Sequence, residues 1–285
     1  MTLAGGNSNA VPELPEVETV ARDLQAKIAG SVIEAVEVSK ADVLRVAGPK
    51  VLARRTTGAT ILRSWRRAKL VILDLSTQDR LVVSLRFTGS LLVDDGSLTD
   101  EDRRYSTVRW RLEDGRILHY REVRRLGTVS LMTPRQFDAY VGQLGVEPLE
   151  PAFTPALLHE LLRSSRQAVK KRIMDQRAVV GVGNIYANEA LWRARIDPSR
   201  AANKVTREES DALHTAIIDV LQDALRARGT SFRDYRDTGG QRGTFVARLA
   251  AYGREGLPCV RCGARLVGTH AIDGRATVLC ARCQS

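Results

Sequence analysis

The chain has 285 residues, 44% hydrophobic and 27% charged, with 44 Lys and Arg against 33 Asp and Glu for a formal net charge of +11. That length holds about two domains at roughly 100–200 residues each, and the composition excludes a collagen-like or wholly disordered chain. No apolar run approaches the ~20 residues that span a bilayer, so no membrane association is expected. Only seven of the 44 basic residues are lysine. Arginine presents a permanently charged planar fork suited to phosphate, so the excess leans toward a polyanionic partner, although a solvated basic surface gives the same totals.

Residues 1–10, MTLAGGNSNA, have neither the basic start nor the apolar centre of a secretory signal and read as a polar, disordered segment. A helix is predicted from Pro15, with Val17, Val20, Leu24 and Ile28 on one face and Gly30 as its stop. From Val32 to Met132 the pattern turns to short β-type runs: Val32–Val38, Ala59–Arg63, Leu70–Leu75, Leu81–Leu85, Val108–Leu112, Ile117–Tyr120 and Thr128–Leu131. Turns such as Asp94-Asp-Gly96 and Glu113-Asp-Gly115 separate several of them, which predicts a β-sandwich. Pro-punctuated residues 144–154 read as a linker. Helices are then predicted at Pro155–Arg163, Ser165–Asp175, Ile185–Arg195 and Arg207–Arg228, the last opened by a Thr206–Glu209 capping box and closed by Gly229. A Gly-rich basic loop, residues 229–245, leads into the C-terminal segment.

All four cysteines lie in that segment, as Cys259-x-x-Cys262 and, after seventeen residues, Cys280-x-x-Cys283. Two such pairs are the pattern of one structural Zn²⁺ held by four thiolates. Disulfides are the alternative, disfavoured without a signal for an oxidising compartment. The intervening Arg265–Gly268, Asp273-Gly274 and Ala276–Leu279 read as a hairpin, so a zinc-bound finger in a reducing cytoplasm is expected.

Gly181-Val-Gly-Asn184 precedes a helix, and backbone N–H groups at such a junction favour a phosphate. A tight helix–helix turn has the same signature. Arg166, Lys170, Lys171 and Arg172 lie just upstream and tip the reading toward a phosphate clamp. Arg66-Arg-Ala-Lys69, the basic run Arg121–Gly127 and Arg275 are each readable as solvated edges. Together with a finger and a phosphate-type turn they point to nucleic acid.

Several motifs in the same order resemble the formamidopyrimidine-DNA glycosylase and endonuclease VIII family. They include Pro12–Val20, Arg66–Lys69, Leu85–Gly89, Arg124–Gly127, Leu144–Pro148, Met174-Asp-Gln176, Val179–Tyr186, Tyr252–Gly256 and the finger. The resemblance runs from Pro12 to the C-terminus. It implies an α+β fold: an N-terminal β-sandwich with an N-terminal helix, a helix–two-turn–helix domain and a zinc-bound β-hairpin finger. The implied divisions are 12–143 for the catalytic sandwich, 144–154 for the linker, 155–245 for the helical DNA-binding domain with a lesion-capping loop, and 246–285 for the finger.

The implied activity is removal of oxidised purines, 8-oxoguanine and formamidopyrimidines, from damaged double-stranded DNA by a glycosylase and AP lyase acting as a monomer. Pro12 would supply the nucleophilic amine, Glu13 the carboxyl group that moves protons at the sugar, Lys69 a phosphate contact and proton transfer in β-elimination, and Arg275 the finger's grip on phosphate beside the lesion and assistance in δ-elimination. Phe87, Arg124, Leu126, Arg166, Lys170, Asn184 and Tyr252 would contact DNA. Glu16 and Glu189 match motif positions for which a structural role is at least as strong an expectation as a catalytic one.

The sequence departs from the family pattern at several points. Phe87 stands for a methionine and Leu126 for a phenylalanine among the residues that fill the space of an everted nucleotide, and Ser84 and Thr107 stand for histidines. Pro12 is preceded by eleven residues, and an amide nitrogen cannot serve as the amine. Val11 occupies the place of the initiator methionine, and valine's GTG codon can start translation in a GC-rich bacterial genome. Residues 1–11 are therefore expected to be absent from the working protein. The alternatives are a non-catalytic damaged-DNA-binding protein, if the extension is real, or a preference for oxidised pyrimidines or abasic sites.

Overall fold

The computed structural model describes residues 11–231, 237–239 and 241–285, so the expectation for residues 1–10 lies outside the described residues. The chain divides into two compact units, Val11–Gln143 with Ala227–Thr244, and Leu144–Arg226 with Phe245–Ser285.

In the first unit α1 (Leu14–Ile28) opens with Pro15 in its first turn. Leu14, Val17, Val20, Leu24 and Ile28 are fully buried, each contributing roughly 1.5–3 kcal/mol by leaving water. Two sheets share the core with this helix. One has the order β1 (Ile33–Val38), β7 (Ser106–Leu112), β8 (Ile117–Glu122), β6 (Gly89–Asp94). The other runs β2 (Leu44–Arg45), β9 (Thr128–Met132), β5 (Arg80–Ser84), β4 (Leu70–Leu75), β3 (Ile61–Arg67). All neighbours are antiparallel except β2 and β9. Val71, Leu73, Val83 and Leu131 from one sheet and Leu91, Trp110, Leu118 and Tyr120 from the other meet in one buried cluster, which makes the predicted sandwich.

Several elements of this unit escaped the periodicity. All six residues of β6 are buried, so it shows no apolar-polar alternation. Two short helices, α2 (Pro49–Thr56) and α4 (Pro134–Val141), interrupt the β pattern. The second carries a legible start: Thr133 Oγ1 accepts from Gln136 N at 3.3 Å while Thr133 N donates to Gln136 Oε1 at 3.0 Å. Its Phe137 covers Leu70, Ile72, Val82 and Met132 on the outer face of the second sheet, which is why Leu70–Leu73 of β4 read as a continuous apolar run. A further short helix, α3 (Asp100–Arg104), precedes β7. β3 continues past the predicted Arg63, so Arg66 and Arg67 belong to the strand and Ala68-Lys69 to the turn.

The second unit holds α5 (Pro155–Arg163), α6 (Val169–Met174), α7 (Asn184–Ala194) and α8 (Arg207–Arg226), then the antiparallel hairpin β10 (Val267–Thr269) and β11 (Thr277–Leu279). α6 is shorter than the predicted Ser165–Asp175. The carbonyls of Ser165 and Gln167 accept from Asn203 and Ala202 at 2.9 and 2.8 Å, so tertiary partners replace the helical ones. α7 ends at Arg195, whose φ of 62° takes the left-handed capping conformation. The sequence reading carried the helical domain to residue 245, but 227–244 group with the first unit. Arg228 bonds Asp23 and Asp237 there at 2.6 and 2.7 Å, and Thr238 O accepts from Val93 N at 3.3 Å.

Candidate nucleic-acid site

In the first unit the chain enters α1 through Pro12 and Glu13, both buried, Glu13 being 2% exposed. Glu13 N donates to Glu16 Oε2 at 2.8 Å, and Glu16 Oε1 accepts from Thr230 N at 2.6 Å. One buried carboxyl group thus holds the start of α1 and the start of the Gly-rich loop together. Gly229 makes that approach possible: its φ is +88°, and a Cβ there would sit 2.8 Å from Glu16 Oε1. These bonds give Glu16 a structural part in the fold. Of the loop 229–245, residues 232–236 and 240 lie outside the described residues.

Lys69 is half-buried in the β3–β4 turn after Ala68, which has a φ of 54°. Arg66, from the same basic run, turns instead to α1, where its Nε lies 2.9 Å from Glu18 Oε2 with its side chain 7% exposed. Two other basic or apolar turns stand in this unit. Phe87 sits half-buried between β5 and β6, and exposed Arg124 and Leu126 sit between β8 and β9. The Arg124 guanidinium lies 5.1 Å from the Phe87 ring centroid, a cation–π distance. Leu126 is 46% exposed, a large apolar side chain left in water. Thr107 is buried and donates to Tyr120 O at 3.0 Å, while the half-buried Ser84 accepts from the Tyr120 hydroxyl at its carbonyl. The Thr107 side chain is thus engaged within the sandwich, to which Ser84 contributes its backbone carbonyl.

In the second unit Lys170 is fully buried. Its ammonium donates to Ala276 O at 3.0 Å and Thr277 Oγ1 at 2.7 Å, so it grips the strand β11 of the finger. Exposed Lys171 and Arg275 both approach Asp273, at 3.5 and 3.6 Å. A cavity of about 360 Å³ lies among Lys170, Lys171, Gln176, Asp273 and Arg275. Arg166 is exposed. Gln176 braces the Gly181–Asn184 turn: its Oε1 accepts from Gly181 N at 2.8 Å and its Nε2 donates to Val182 O at 3.0 Å. Half-buried Asn184 is the first residue of α7, and the N–H groups at a helix start suit an anion.

Two neighbouring residues of α7 anchor segments nearer the C-terminus. Asn188 Oδ1 accepts from Val278 N at 2.8 Å. Glu189, 1% exposed, accepts from Ala250, Ala251 and Tyr252 N at 2.9, 2.9 and 2.8 Å. Burial pushes the Glu189 carboxyl above the ordinary glutamate range, against the pull of those three N–H groups. Tyr252 is itself 6% exposed.

The sulfurs of Cys259, Cys262, Cys280 and Cys283 lie within 4.8 Å of one another. Tetrahedral coordination at about 2.3 Å separates sulfurs by about 3.8 Å, and Cys262 and Cys280 stand 3.5 Å apart, far beyond a disulfide bond. Burial raises the Cys259 thiol, but N–H donation from Arg261 and Cys262 outweighs it and brings the group down to about 6. Hydrogen bonding with Cys262 and the crowding of neighbouring sulfurs push Cys283 up to about 12. A dication relieves that crowding, and the quartet fits one structural Zn²⁺. The residues that the sequence reading did not single out are Asn188 and, within the segments Leu85–Gly89 and Arg121–Gly127, Thr88 and Glu122; all three are buried.

Three domain families match the chain in order. They are the formamidopyrimidine-DNA glycosylase N-terminal domain at residues 11–129, its H2TH domain at 144–236, and the zinc finger found in FPG and IleRS at 256–285. Formamidopyrimidine-DNA glycosylase of Xanthomonas campestris is 42% identical over 275 residues, covering 96% of this chain and 100% of that protein. The enzyme of Desulforamulus reducens is 38% identical over 277 residues, covering 96% and 99%. Among solved structures, the Lactococcus lactis Fpg in complex with abasic-site DNA superposes with a TM-score of 0.88 at 33% identity, covering 96% of this chain and 99% of that one. Fpg from Thermus thermophilus gives 0.84 at 35%, covering 96% and 98%.

Proposed function

The chain belongs to the formamidopyrimidine-DNA glycosylase family, and from that premise we propose that it is a DNA-repair glycosylase with AP lyase activity, acting on oxidised purines in duplex DNA. The observation that carries the reading is the head of α1. Pro12 is buried where the chain enters the helix, and Glu16 clamps that entry to the loop at Thr230. A nucleophile on so braced a helix start is held in one orientation before substrate arrives.

The Pro12 amine attacks C1′ of the damaged nucleotide. Its C–N bond forms as the glycosidic bond breaks, and the base leaves with the bonding pair and takes up a proton. Glu13 delivers a proton to O4′ as the sugar ring opens, and loss of the amine proton leaves a C1′ iminium. That cation accepts the electrons released when the C2′ proton is removed, so the 3′ phosphate is expelled and then, by a second elimination, the 5′ phosphate. Lys69 assists removal of the C2′ proton in the first elimination, and Arg275 assists the second. Lys170, Arg166, Asn184, Tyr252 and Arg275 hold the DNA strand, the exposed cations among them by phosphate contact. Phe87, Arg124 and Leu126 fill the space an everted base leaves. Zinc holds the finger that presents Arg275. The Lactococcus lactis Fpg solved with abasic-site DNA, and a point mutant of it solved with Fapy-dG-containing DNA, support this substrate class.

The amine must be free, so the reaction belongs to a chain beginning at Pro12. With residues 1–11 attached the nitrogen is an amide and the same fold binds damage without cutting it. Borohydride reduces an iminium to a stable amine and so traps the covalent complex. We expect an adduct on 8-oxoguanine and abasic duplexes with the chain beginning at Pro12 and none with the longer chain. Absence of an adduct from a chain verified by mass spectrometry to begin at Pro12 rejects the enzyme reading in favour of the binding protein. A matrix of lesions and opposing bases tests the purine preference.

A further inference from the structure

Two chain crossings stand side by side at one end of the sandwich. The turn Leu85–Gly89 carries the chain from β5 to β6, hence from the second sheet to the first, and Glu122–Gly127 carries it back from β8 to β9. The registers put them together, since Ser84 pairs with Thr128 in one sheet and Gly89 with Glu122 in the other. Each turn contains a non-glycine residue in the left-handed region directly before its large apolar side chain. Arg86 has a φ of 51° before Phe87, and Arg125 a φ of 54° before Leu126. Such backbone does not hold itself and persists only where its surroundings fix it.

Glu122 does the fixing. It is 2% exposed, and its Oε2 accepts from Gly127 N at 2.8 Å while its Oε1 accepts from Arg124 N at 3.2 Å and closely from the Thr88 hydroxyl. Thr88 Oγ1, itself 7% exposed, also accepts from Arg124 N at 3.1 Å. The carboxyl group of one crossing is therefore bonded to a side chain of the other and to both ends of its own. Gly127 leaves room for it: a Cβ there would lie 2.5 Å from Glu122 Oε2 and 2.6 Å from Ser84 O, and against the Tyr120 hydroxyl.

We propose that Glu122 and Thr88 are positioning residues that couple the two crossings, so that Phe87 and the Arg124–Leu126 step enter DNA as one rigid insert. This rests on the proposed function, in which these side chains fill the space of an everted base. Two independent loops would each have to be ordered on the duplex, whereas a coupled pair is ordered beforehand.

The test follows insertion by stopped-flow fluorescence of 2-aminopurine placed opposite a tetrahydrofuran site, using the full chain beginning at Pro12. Thr88→Val removes the hydroxyl at nearly constant size, Thr88→Ser keeps it, and Glu122→Gln puts an amide N–H toward donors. We expect Thr88→Val to slow the insertion phase about tenfold, the rate equivalent of one buried hydrogen bond, and Thr88→Ser to recover it. Phe87→Ala also slows insertion, and adding Thr88→Val to it slows insertion by much less than tenfold, because the coupled partner is gone. Should Glu122→Gln fail to fold, Thr88→Val still decides. Insertion at the unaltered rate in Thr88→Val, with Phe87→Ala slow, overturns the coupling and leaves the DNA-entry reading standing. Unaltered insertion in Phe87→Ala overturns that reading and the coupling with it.

Discussion

Replacing Glu189 tests how the second unit is held together. Its two carboxyl oxygens accept three backbone N–H groups, from Ala250, Ala251 and Tyr252, in a site where the side chain is 1% exposed. Glu189→Ala leaves all three donors buried and unpaired. At about 1–3 kcal/mol each the loss is about 3–9 kcal/mol, comparable with the roughly 5–15 kcal/mol that stabilises a whole domain. Glu189→Gln is the graded control. Its remaining oxygen satisfies Ala251 and Tyr252, and its amide group meets Ala250 N, so about 1–3 kcal/mol is lost for one orphaned donor. At about 2–4 °C per kcal/mol for a unit of this size, Gln lowers the melting temperature by about 2–12 °C, whereas Ala removes cooperative melting or lowers it far more. Scanning calorimetry on the zinc-loaded protein reads both. A Glu189→Ala protein melting within about 2 °C of the parent, well inside the smallest loss that three orphaned donors predict, refutes the claim that this carboxyl group ties α7 to residues 250–252.

His119 supplies a pH dependence. Burial pulls its imidazole below 6.5, with Asp94 opposing and Arg109 and Arg103 assisting, so the unfolded chain binds the proton more readily than the folded one. That contribution to stability is full above pH 6.5 and is lost as the pH falls through the folded value. Melting curves of His119→Asn should lack this part of the acid-side decline, and a decline identical to the parent's would remove His119 as its source. Chelation should release one zinc per chain, measured colorimetrically, and abolish DNA binding as the finger loses a contribution of order 10 kcal/mol. Full binding after complete zinc release would show that the finger stands without metal. Lys170→Met deletes the ammonium contacts to Ala276 O and Thr277 Oγ1, charge-assisted bonds of about 1.5–3 kcal/mol each. Zinc should then leave to a chelator faster than from the parent, and an unchanged release rate would count against Lys170 as a strut of the finger.

The local signals in the sequence served well. The zinc quartet was legible because its four ligands fall in two short, regular spacings, and α1 because its apolar stripe repeats at the helical period after a proline start. α4 was also written in the chain, as Thr133–Gln136 before Phe137, but a short helix carries too few apolar repeats to stand out from the strands around it. β6 had no pattern to find, since a strand buried on both faces does not alternate.

The family resemblance carried the assignment of chemistry to Pro12, Glu13 and Lys69, and no spacing rule would have singled out those three. The sequence by itself determined the kinds of element, the metal and the family, all of which depend on residues close in the chain or on motif order. The tertiary structure alone decided that Lys170 is a buried strut of the finger as well as a candidate DNA contact, that residues 227–244 group with the first unit, and that Glu16, Glu122 and Glu189 each bind several donors. Those outcomes turn on which partners a buried polar side chain meets once the chain has folded. An acidic residue that ends up in water and one that ends up as a clamp look alike until the chain has folded around them.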